Sequence, residues 1–487
     1  MIEPLYFGGS VESVERDMGG EKVREVSEAG LMQLLKEGKA LQAEMCDLPL
    51  DERLQVIDWL GEVWKERLHA GELSEAKEEL RRGTGYPGKL IDLEFSLVPK
   101  VLDGKEIQRN LTASLVGGAG ALERFLTIEG GEALRHMPAG PSLIISSGNS
   151  VIPTLIPTTI SLVTGNFTVL KPSISNFRAV AEVFSGLKEL TARSPAAHLM
   201  ARSLCVSYYG HDSPGLTSAL SSSPFGVVNF WGGEPGRSSI AAKLARNPAH
   251  PRFFVNGPLT GVAVVGAEGD DEAVAKGLAL NMLLYEQQLC SSPTMGIYIG
   301  RYEEALRFAS KVRSHLEAIG TYYPVEPSDD ALFVTNSARR VLSLKGSKVL
   351  QSESTMNPWT LAITKGHSNL DSVVASFPSF NVHGRRRFLE LVAVDSIEEA
   401  VAAVVGIPSM AAFAGIDKVQ TIGLSVPGDQ REQALWALAS TGAYRIVPVQ
   451  DMFMRSASEP YDGITLASLF TYAIYERRSP LALEDVL

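Results

Sequence analysis

Between Arg135 and Lys171 the chain carries no Asp, Glu, Lys or Arg. So long an uncharged stretch belongs either in a bilayer or in the interior of a folded domain. Its punctuation decides between them. Pro138, Gly140, Pro141, Gly148, Asn149, Pro153, Pro157 and Gly165-Asn166 leave no uninterrupted apolar run of about twenty residues, the length a membrane helix needs. Leu143 to Ser146 is a short apolar run bounded by Pro and Gly, and Thr154 to Val163 has helix length. Phe167 to Leu170 is a second apolar run, ending on Lys171. Strand, turn, helix, turn and strand in that order make a parallel βαβ crossover. Such units bind ligands at the carboxyl ends of their strands. Lys171 is placed there to hydrogen-bond ribose hydroxyls, and the Asn149 side-chain amide to donate to an oxyanion. Taken alone, each reads equally well as a turn residue or a solvated charge.

The pattern continues. Short apolar runs at 142–147, 167–171, 204–209, 226–231 and 252–255 alternate with helix-length segments, which predicts an open parallel sheet of the dinucleotide-binding kind. No Gly-x-Gly-x-x-Gly follows the first run. A shorter glycine turn, Gly232-Gly233-Glu234-Pro235-Gly236, follows Trp231 and opens a helix whose backbone could approach a pyrophosphate. A plain left-handed turn explains it as well. Residues 1–45 are rich in Glu and Lys without a clear period and read as a polar arm. After them Leu54, Ile57, Leu60, Trp64 and Leu68 recur at helical steps. Further along, a strand at Gly261–Val265, a helix at Asp271–Tyr285 and a strand at Met295–Ile299 predict a second α/β lobe. The domains are therefore expected at 46–257 with 448–487, and at 258–447.

Formal net charge is −11 and no basic block exceeds Arg385-Arg386-Arg387, which argues against nucleic acid as a partner. Three widely spaced cysteines fit a reducing compartment, and no Cys/His cluster has metal-ligand spacing. The N-terminus, Met1-Ile2-Glu3-Pro4, lacks a basic region followed by an apolar core, so a cytoplasmic protein without a secretion signal or membrane span is expected. One cysteine stands out. Cys290, in Gln287-Gln288-Leu289-Cys290-Ser291-Ser292-Pro293, sits on a polar loop between the expected helix and strand. A thiolate there is well placed to attack a carbonyl, although most free cysteines are small buried hydrophobes.

Taken together, Gly148-Asn149, Asn166 to Ser173 and Cys290 to Pro293 resemble the aldehyde dehydrogenase superfamily. Within it they are most similar to the fatty acyl-CoA reductase family of bacterial luminescence, the LuxC type. Val228 to Glu234, Arg445 to Val449 and Tyr461-Asp462-Gly463 match in the same order, so the resemblance covers about residues 45 to 475. It implies an aldehyde dehydrogenase-like α/β fold with a Rossmann-type cofactor lobe and a catalytic lobe. It further implies Cys290 as nucleophile, with the Asn149 amide and the Cys290 backbone N–H as oxyanion donors. Lys171, Ser173 and the Gly232-Gly233-Glu234 turn would hold the cofactor, and Glu390 its nicotinamide ribose.

Aldehyde oxidisers of the superfamily that release free acid carry a glutamate base where this chain has Asn256. An amide cannot take a proton from water at neutral pH, so an S-acyl enzyme would persist. That favours NADPH-dependent reduction of an acyl thioester to an aldehyde, with coenzyme A as leaving group. Glu286 or His250 could stand in as base, although a helix-surface carboxylate and a loop histidine are the simpler readings. NAD-specific relatives place a carboxylate three residues past the lysine. Ile174 occupies that position here with Lys171 and Arg178 nearby, which favours NADPH over NADH. The alternatives are a coenzyme A-acylating dehydrogenase working oxidatively and a non-catalytic scaffold. The resemblance also implies a homo-oligomer and an acyl-activating synthetase as partner, so that the donor is an acyl-CoA, an acyl-protein or an acyl adenylate.

Overall fold

The computed structural model describes residues 2–18, 20, 22–128 and 132–477. The chain forms two compact units, one of Met1–Gly85, Ile91–Asn256 and Ser456–Leu487, the other of Tyr86–Leu90 and Gly257–Arg455.

The first unit is built on a six-stranded sheet in the order Leu5–Tyr6, Leu204–Val206, Thr168–Lys171, Ser142–Ile145, Val227–Trp231, Arg252–Asn256. The last five run parallel, and Leu5–Tyr6 pairs antiparallel at the edge. By chain order the parallel strands lie third, second, first, fourth, fifth, so the direction of winding reverses between Ser142–Ile145 and Val227–Trp231. Ligands of open α/β sheets settle at such a reversal. Every residue of Ser142–Ile145 and Thr168–Lys171 is buried, which is why these strands read as unbroken apolar runs rather than alternating ones.

Most of the polar groups in the uncharged stretch find partners inside it. Ser142 Oγ and Ser161 Oγ lie 2.7 Å apart and Ser161 Oγ and Thr168 Oγ1 2.9 Å apart, while Thr158 Oγ1 donates to the Thr154 carbonyl at 2.7 Å. Ser146 Oγ and Thr154 Oγ1 are exceptions, buried without a hydrogen-bond partner among the described residues.

The first 45 residues are not a polar arm. They supply the edge strand Leu5–Tyr6, a hairpin of Ser13–Asp17 with Lys22–Val26, and the helix Glu28–Asp47. Ser27 Oγ caps that helix by accepting from Gly30 N at 3.0 Å. Its Leu31, Leu34, Leu35, Leu41 and Met45 are buried on one face, and the Glu and Lys residues that obscure the period lie on the other.

The second unit holds a seven-stranded sheet in the order Lys348–Gln351, Thr360–Lys365, Phe388–Val394, Pro293–Ile299, Leu259–Gly266, Lys418–Ser425, Arg445–Val447, parallel except for its first pair. Apolar clusters cover it on both faces, one around Phe380, Phe388 and Phe413, the other around Leu278, Phe308 and Trp359. No helix among the described residues is long and apolar enough to cross a membrane.

Candidate active site

Cys290 lies where the second unit crosses from helix Glu272–Leu283 to strand Pro293–Ile299. The helix stops two residues short of the expected Tyr285. Tyr285, Glu286 and Gln287 then take φ of 51°, 51° and 59°, three left-handed residues in succession without a glycine. Each costs about 1–2 kcal/mol for an L residue, so the turn needs outside support.

Three contacts supply that support. Arg387, fully buried, donates Nε to both Glu286 oxygens at 3.1 and 3.0 Å and Nη2 to Oε1 at 2.6 Å. Its Nη1 donates to Asn357 Oδ1 at 2.9 Å. Gln287 Nε2 donates to the carbonyls of Pro293 at 2.8 Å and Phe388 at 3.0 Å, and its Oε1 accepts from Phe388 N at 2.6 Å. Tyr285 packs edge-on against Tyr86 and face-on against Phe453, with ring centroids 5.6 and 5.8 Å away. Glu286 is therefore a brace, not a substitute base. Burial raises its carboxyl above the ordinary range while Arg387 pulls it back.

Of the three thiols, Cys205 is buried and pushed up to about 12 by burial alone, and Cys46, half-buried, is also raised by burial. Both suit packing. Cys290 is half-buried, and Gln420 Nε2 donates to its Sγ at 3.1 Å.

The first unit presents its residues at the strand ends around the reversal. After Ser142–Ile145, Gly148 lies so close to the next strand's loop that a Cβ would meet Ser175 Oγ at 2.4 Å and Ser173 Oγ at 2.6 Å. Ser175 Oγ donates to the Gly148 carbonyl at 2.9 Å, and Asn176 Nδ2 to the carbonyls of Ser147 and Ser150 at 3.0 and 2.9 Å. These bonds fix the loop that carries Asn149. Ser147 Oγ donates to Asn149 Oδ1 at 2.8 Å, which sets Nδ2 as the donor end of that amide.

The helix that follows, Ile152–Val163, is capped by a distant carboxylate. Glu94 Oε1 accepts from Ser150 Oγ at 2.5 Å, Val151 N at 2.6 Å and Ile152 N at 3.2 Å. The Gly232-Gly233-Glu234 turn precedes helix Gly236–Leu244, and a Cβ on Gly232 would strike the Phe230 ring at 2.7 Å. Glu234 accepts from Ser238 N at 3.1 Å and Arg237 Nε at 2.8 Å, bonds that hold its carboxyl below the usual range. Glu234 thus caps its own helix.

Lys171 ends its strand 6% exposed, with Nζ 5.2 Å from the centroid of the Tyr208 ring and no carboxylate partner among the described residues. Burial lowers it to about 8. A desolvated ammonium on an aromatic face, short of hydrogen-bond acceptors, fits the hydroxyls or phosphate of a nucleotide. Ser173, two residues on, accepts from Ser175 Oγ at 3.2 Å. Ile174 is 40% exposed, whereas Arg178 is ion-paired to Glu75 at 2.7 Å and Glu79 at 3.4 Å, so its charge is already answered within the protein.

Asn256 closes strand Arg252–Asn256 inside a directed chain of amides. Trp231 Nε1 donates to Asn229 Oδ1 at 2.6 Å, Asn229 Nδ2 to Asn256 Oδ1 at 2.9 Å, and Asn256 Nδ2 to Asp462 Oδ2 at 2.8 Å. Both ends of the Asn256 amide are engaged, and its orientation is set by the carboxylate. Two further candidates, His250 and Glu390, lie in different settings. His250 is an exposed turn residue at φ 46°. Glu390 is fully enclosed. Its Oε1 accepts from Thr364 Oγ1 at 2.7 Å and Asn369 N at 2.9 Å, and its Oε2 from Ser368 Oγ. It ties strand Phe388–Val394 to a neighbouring turn, so these three bonds all go to the protein's own groups.

Three residues that shape the site carried no sequence signal of their role. Arg387 and Gln420 are far from the nucleophile in sequence, and Asp462 was matched only as part of Tyr461-Asp462-Gly463.

The comparisons with known proteins bear on the family and the fold. The family described as acyl-CoA reductase (LuxC) matches residues 45–472. The chain belongs to that family. The long-chain acyl-protein thioester reductase of Aliivibrio fischeri is 24% identical over 254 residues, 52% of this chain and 51% of that protein, so the chain spans about half of that relative's length. The reductase of the same name from Photorhabdus luminescens is 22% identical over 446 residues, 90% of this chain and 85% of that protein. Among solved structures, the NADP-dependent glyceraldehyde-3-phosphate dehydrogenase of Bacillus halodurans superposes with a TM-score of 0.69 at 14% identity, covering 97% of this chain and 98% of that one. The succinic semialdehyde dehydrogenase of Streptococcus pyogenes, solved with NADP+, gives 0.67 at 14% identity over 93% and 95%. The family member has an aldehyde dehydrogenase-like α/β fold, with relatives that are oxidoreductases of acyl thioesters.

Proposed function

We propose that this chain reduces a long-chain acyl thioester to an aldehyde through an S-acyl intermediate on Cys290, with NADPH as reductant. The Cys290 thiolate attacks the thioester carbonyl, the donor thiolate leaves, and the acyl group stays on sulfur. Asn149 Nδ2 and the Cys290 backbone N–H serve as donors to the oxyanion. Reduced nicotinamide, when bound, supplies the hydride for the second step. Lys171 and Ser173 take the adenosine ribose, and the glycine turn at Gly232-Gly233 admits the pyrophosphate.

The observation that carries this reading is Asn256. Its amide is not basic, and Asn229 and Asp462 hold it in one orientation, so it cannot activate water. Glu286, the carboxylate nearest the thiol in sequence, is tied to Arg387. An acyl-enzyme without a base hydrolyses slowly and waits for the reductant.

NADPH is favoured over NADH by Lys171 and by the apolar Ile174, without help from the ion-paired Arg178. The names of the relatives support a long acyl chain carried on protein, and the family description supports acyl-CoA. A synthetase that loads the acyl group is the expected partner if the donor is a protein. The test is a cofactor-oxidation assay with acyl-CoA thioesters of several chain lengths, using NADPH and NADH in parallel, with product identification. Mass spectrometry of protein exposed to thioester alone is expected to find the acyl group on Cys290. Free acid as product, or turnover with an unmodified Cys290 peptide, overturns the proposal.

A further inference from the structure

Strand Lys418–Ser425 runs beside Leu259–Gly266, and the register between them slips: Thr260 pairs with Val419, but Gly261 pairs with Thr421. Gln420 is the extra residue of a β-bulge. Bulges re-aim a side chain out of the regular alternation of a strand. Here the Gln420 side chain, on a residue 1% exposed, reaches Cys290 Sγ with its Nε2 at 3.1 Å.

Two further features make the contact specific. Thr421 Oγ1 donates to Gln420 Oε1 at 3.1 Å, which fixes the amide with its N–H end toward the sulfur. On the intervening strand, Gly261 lets the nucleophile loop lie across the sheet. A Cβ there would meet the carbonyl oxygens of Ser291 at 2.4 Å and Ser292 at 2.6 Å, and Gly261 N already donates to the Ser292 carbonyl at 3.1 Å. Bulge, hydroxyl and glycine all serve one contact.

We propose that Gln420 is a catalytic residue whose amide N–H holds the Cys290 sulfur as thiolate, before attack and again as leaving group. The inference rests on Cys290 being the nucleophile. In acylation the sulfur's electron pair forms the new C–S bond, and the old C–S bond breaks with its pair going to the donor thiolate. After hydride addition from reduced nicotinamide, the alkoxide re-forms the carbonyl and the C–S bond to Cys290 breaks, its pair returning to Sγ. The sulfur is anionic at the start and at the end, and those are the states in which an N–H donor stabilises it.

The test compares the full-length protein with Gln420→Met, which keeps the length and removes the donor, and Gln420→Glu, which keeps the shape and adds a negative charge. Iodoacetamide alkylation of the Cys290 peptide is followed against pH by mass spectrometry, a readout independent of turnover. The midpoint of the Cys290 profile is expected to rise by about one to two pH units in Gln420→Met and further in Gln420→Glu. Cys46 should label as in the parent. Buried Cys205 should stay unlabelled and thereby report an intact core. If Cys205 becomes reactive in either variant, Thr421→Val decides: it frees the amide to flip and should raise the midpoint by a smaller amount. Superimposed profiles in folded variants overturn the role of Gln420. Failure of the parent Cys290 to accept an acyl group from any thioester overturns the underlying reaction instead, whatever the alkylation profiles show.

Discussion

Lys171 in the first unit and Arg387 in the second are both cations taken out of water beside a strand, yet the protein answers them differently. Arg387 is met by Glu286, by Asn357 Oδ1 and by the Tyr323 carbonyl at 2.5 Å, and its energy goes into holding a left-handed turn. Lys171 meets a tyrosine ring and no carboxylate among the described residues, and burial lowers it to about 8. A compensated ion fixes geometry, whereas an uncompensated one invites a ligand. The residues before Cys290 and those at the ends of the cofactor-type sheet are thus polar for opposite reasons.

Removing the Arg387 side chain is the severest way to break this comparison. Arg387→Met would strand the Glu286 carboxylate in the interior, and a loss of about 3–5 kcal/mol in urea unfolding is expected. Adding Glu286→Gln should recover part of it. A single variant as stable as the parent would show that the pair is not a brace.

Asn149→Ala comes next. On the proposed mechanism it removes one oxyanion donor and should slow Cys290 acylation by about 10²–10³-fold in single-turnover measurements, with unfolding and iodoacetamide alkylation of Cys290 unchanged. An equal fall in stability would move Asn149 to the structural side.

The smallest expected effect has the opposite sign. Between pH 8 and 10.5 the unfolded chain keeps the Lys171 proton that the folded chain has released. Stability owed to this residue therefore rises with pH across that window and is poorest below it. Lys171→Met should be about 1–3 kcal/mol more stable than the parent at pH 7, with the margin closing by pH 10.5, while nicotinamide cofactor binding weakens. A variant less stable at pH 7 would mean that Lys171 serves the fold.

What could be read from the sequence was what local pattern encodes. The five parallel strands of the first unit appeared within a few residues of their final bounds, because strands buried on both faces are short apolar runs between turns. The helix Glu28–Asp47 escaped notice because its Glu and Lys face outweighs five buried apolar side chains in a composition reading. The candidate nucleophile could be singled out from its own loop, whereas the residues that support that loop could not. Arg387 is 101 positions from Glu286, Asp462 lies 206 from Asn256, and Gln420 lies 130 from Cys290. Each of these pairings exists only through the tertiary fold. Glu390 is a similar case: only the fold reveals that Thr364, Ser368 and Asn369 donate to its oxygens.

Glu94 carries a practical consequence. The N-terminal end of helix Ile152–Val163 would ordinarily welcome a negatively charged guest, but a side chain from elsewhere in the fold already sits there, and it cannot diffuse away. Grafting a glycine-rich fingerprint into residues 146–151 to retune coenzyme preference would therefore pit phosphate against a resident anion. Engineering aimed at the turn before Gly236 meets only a solvent-facing cap, and is the edit more readily tolerated.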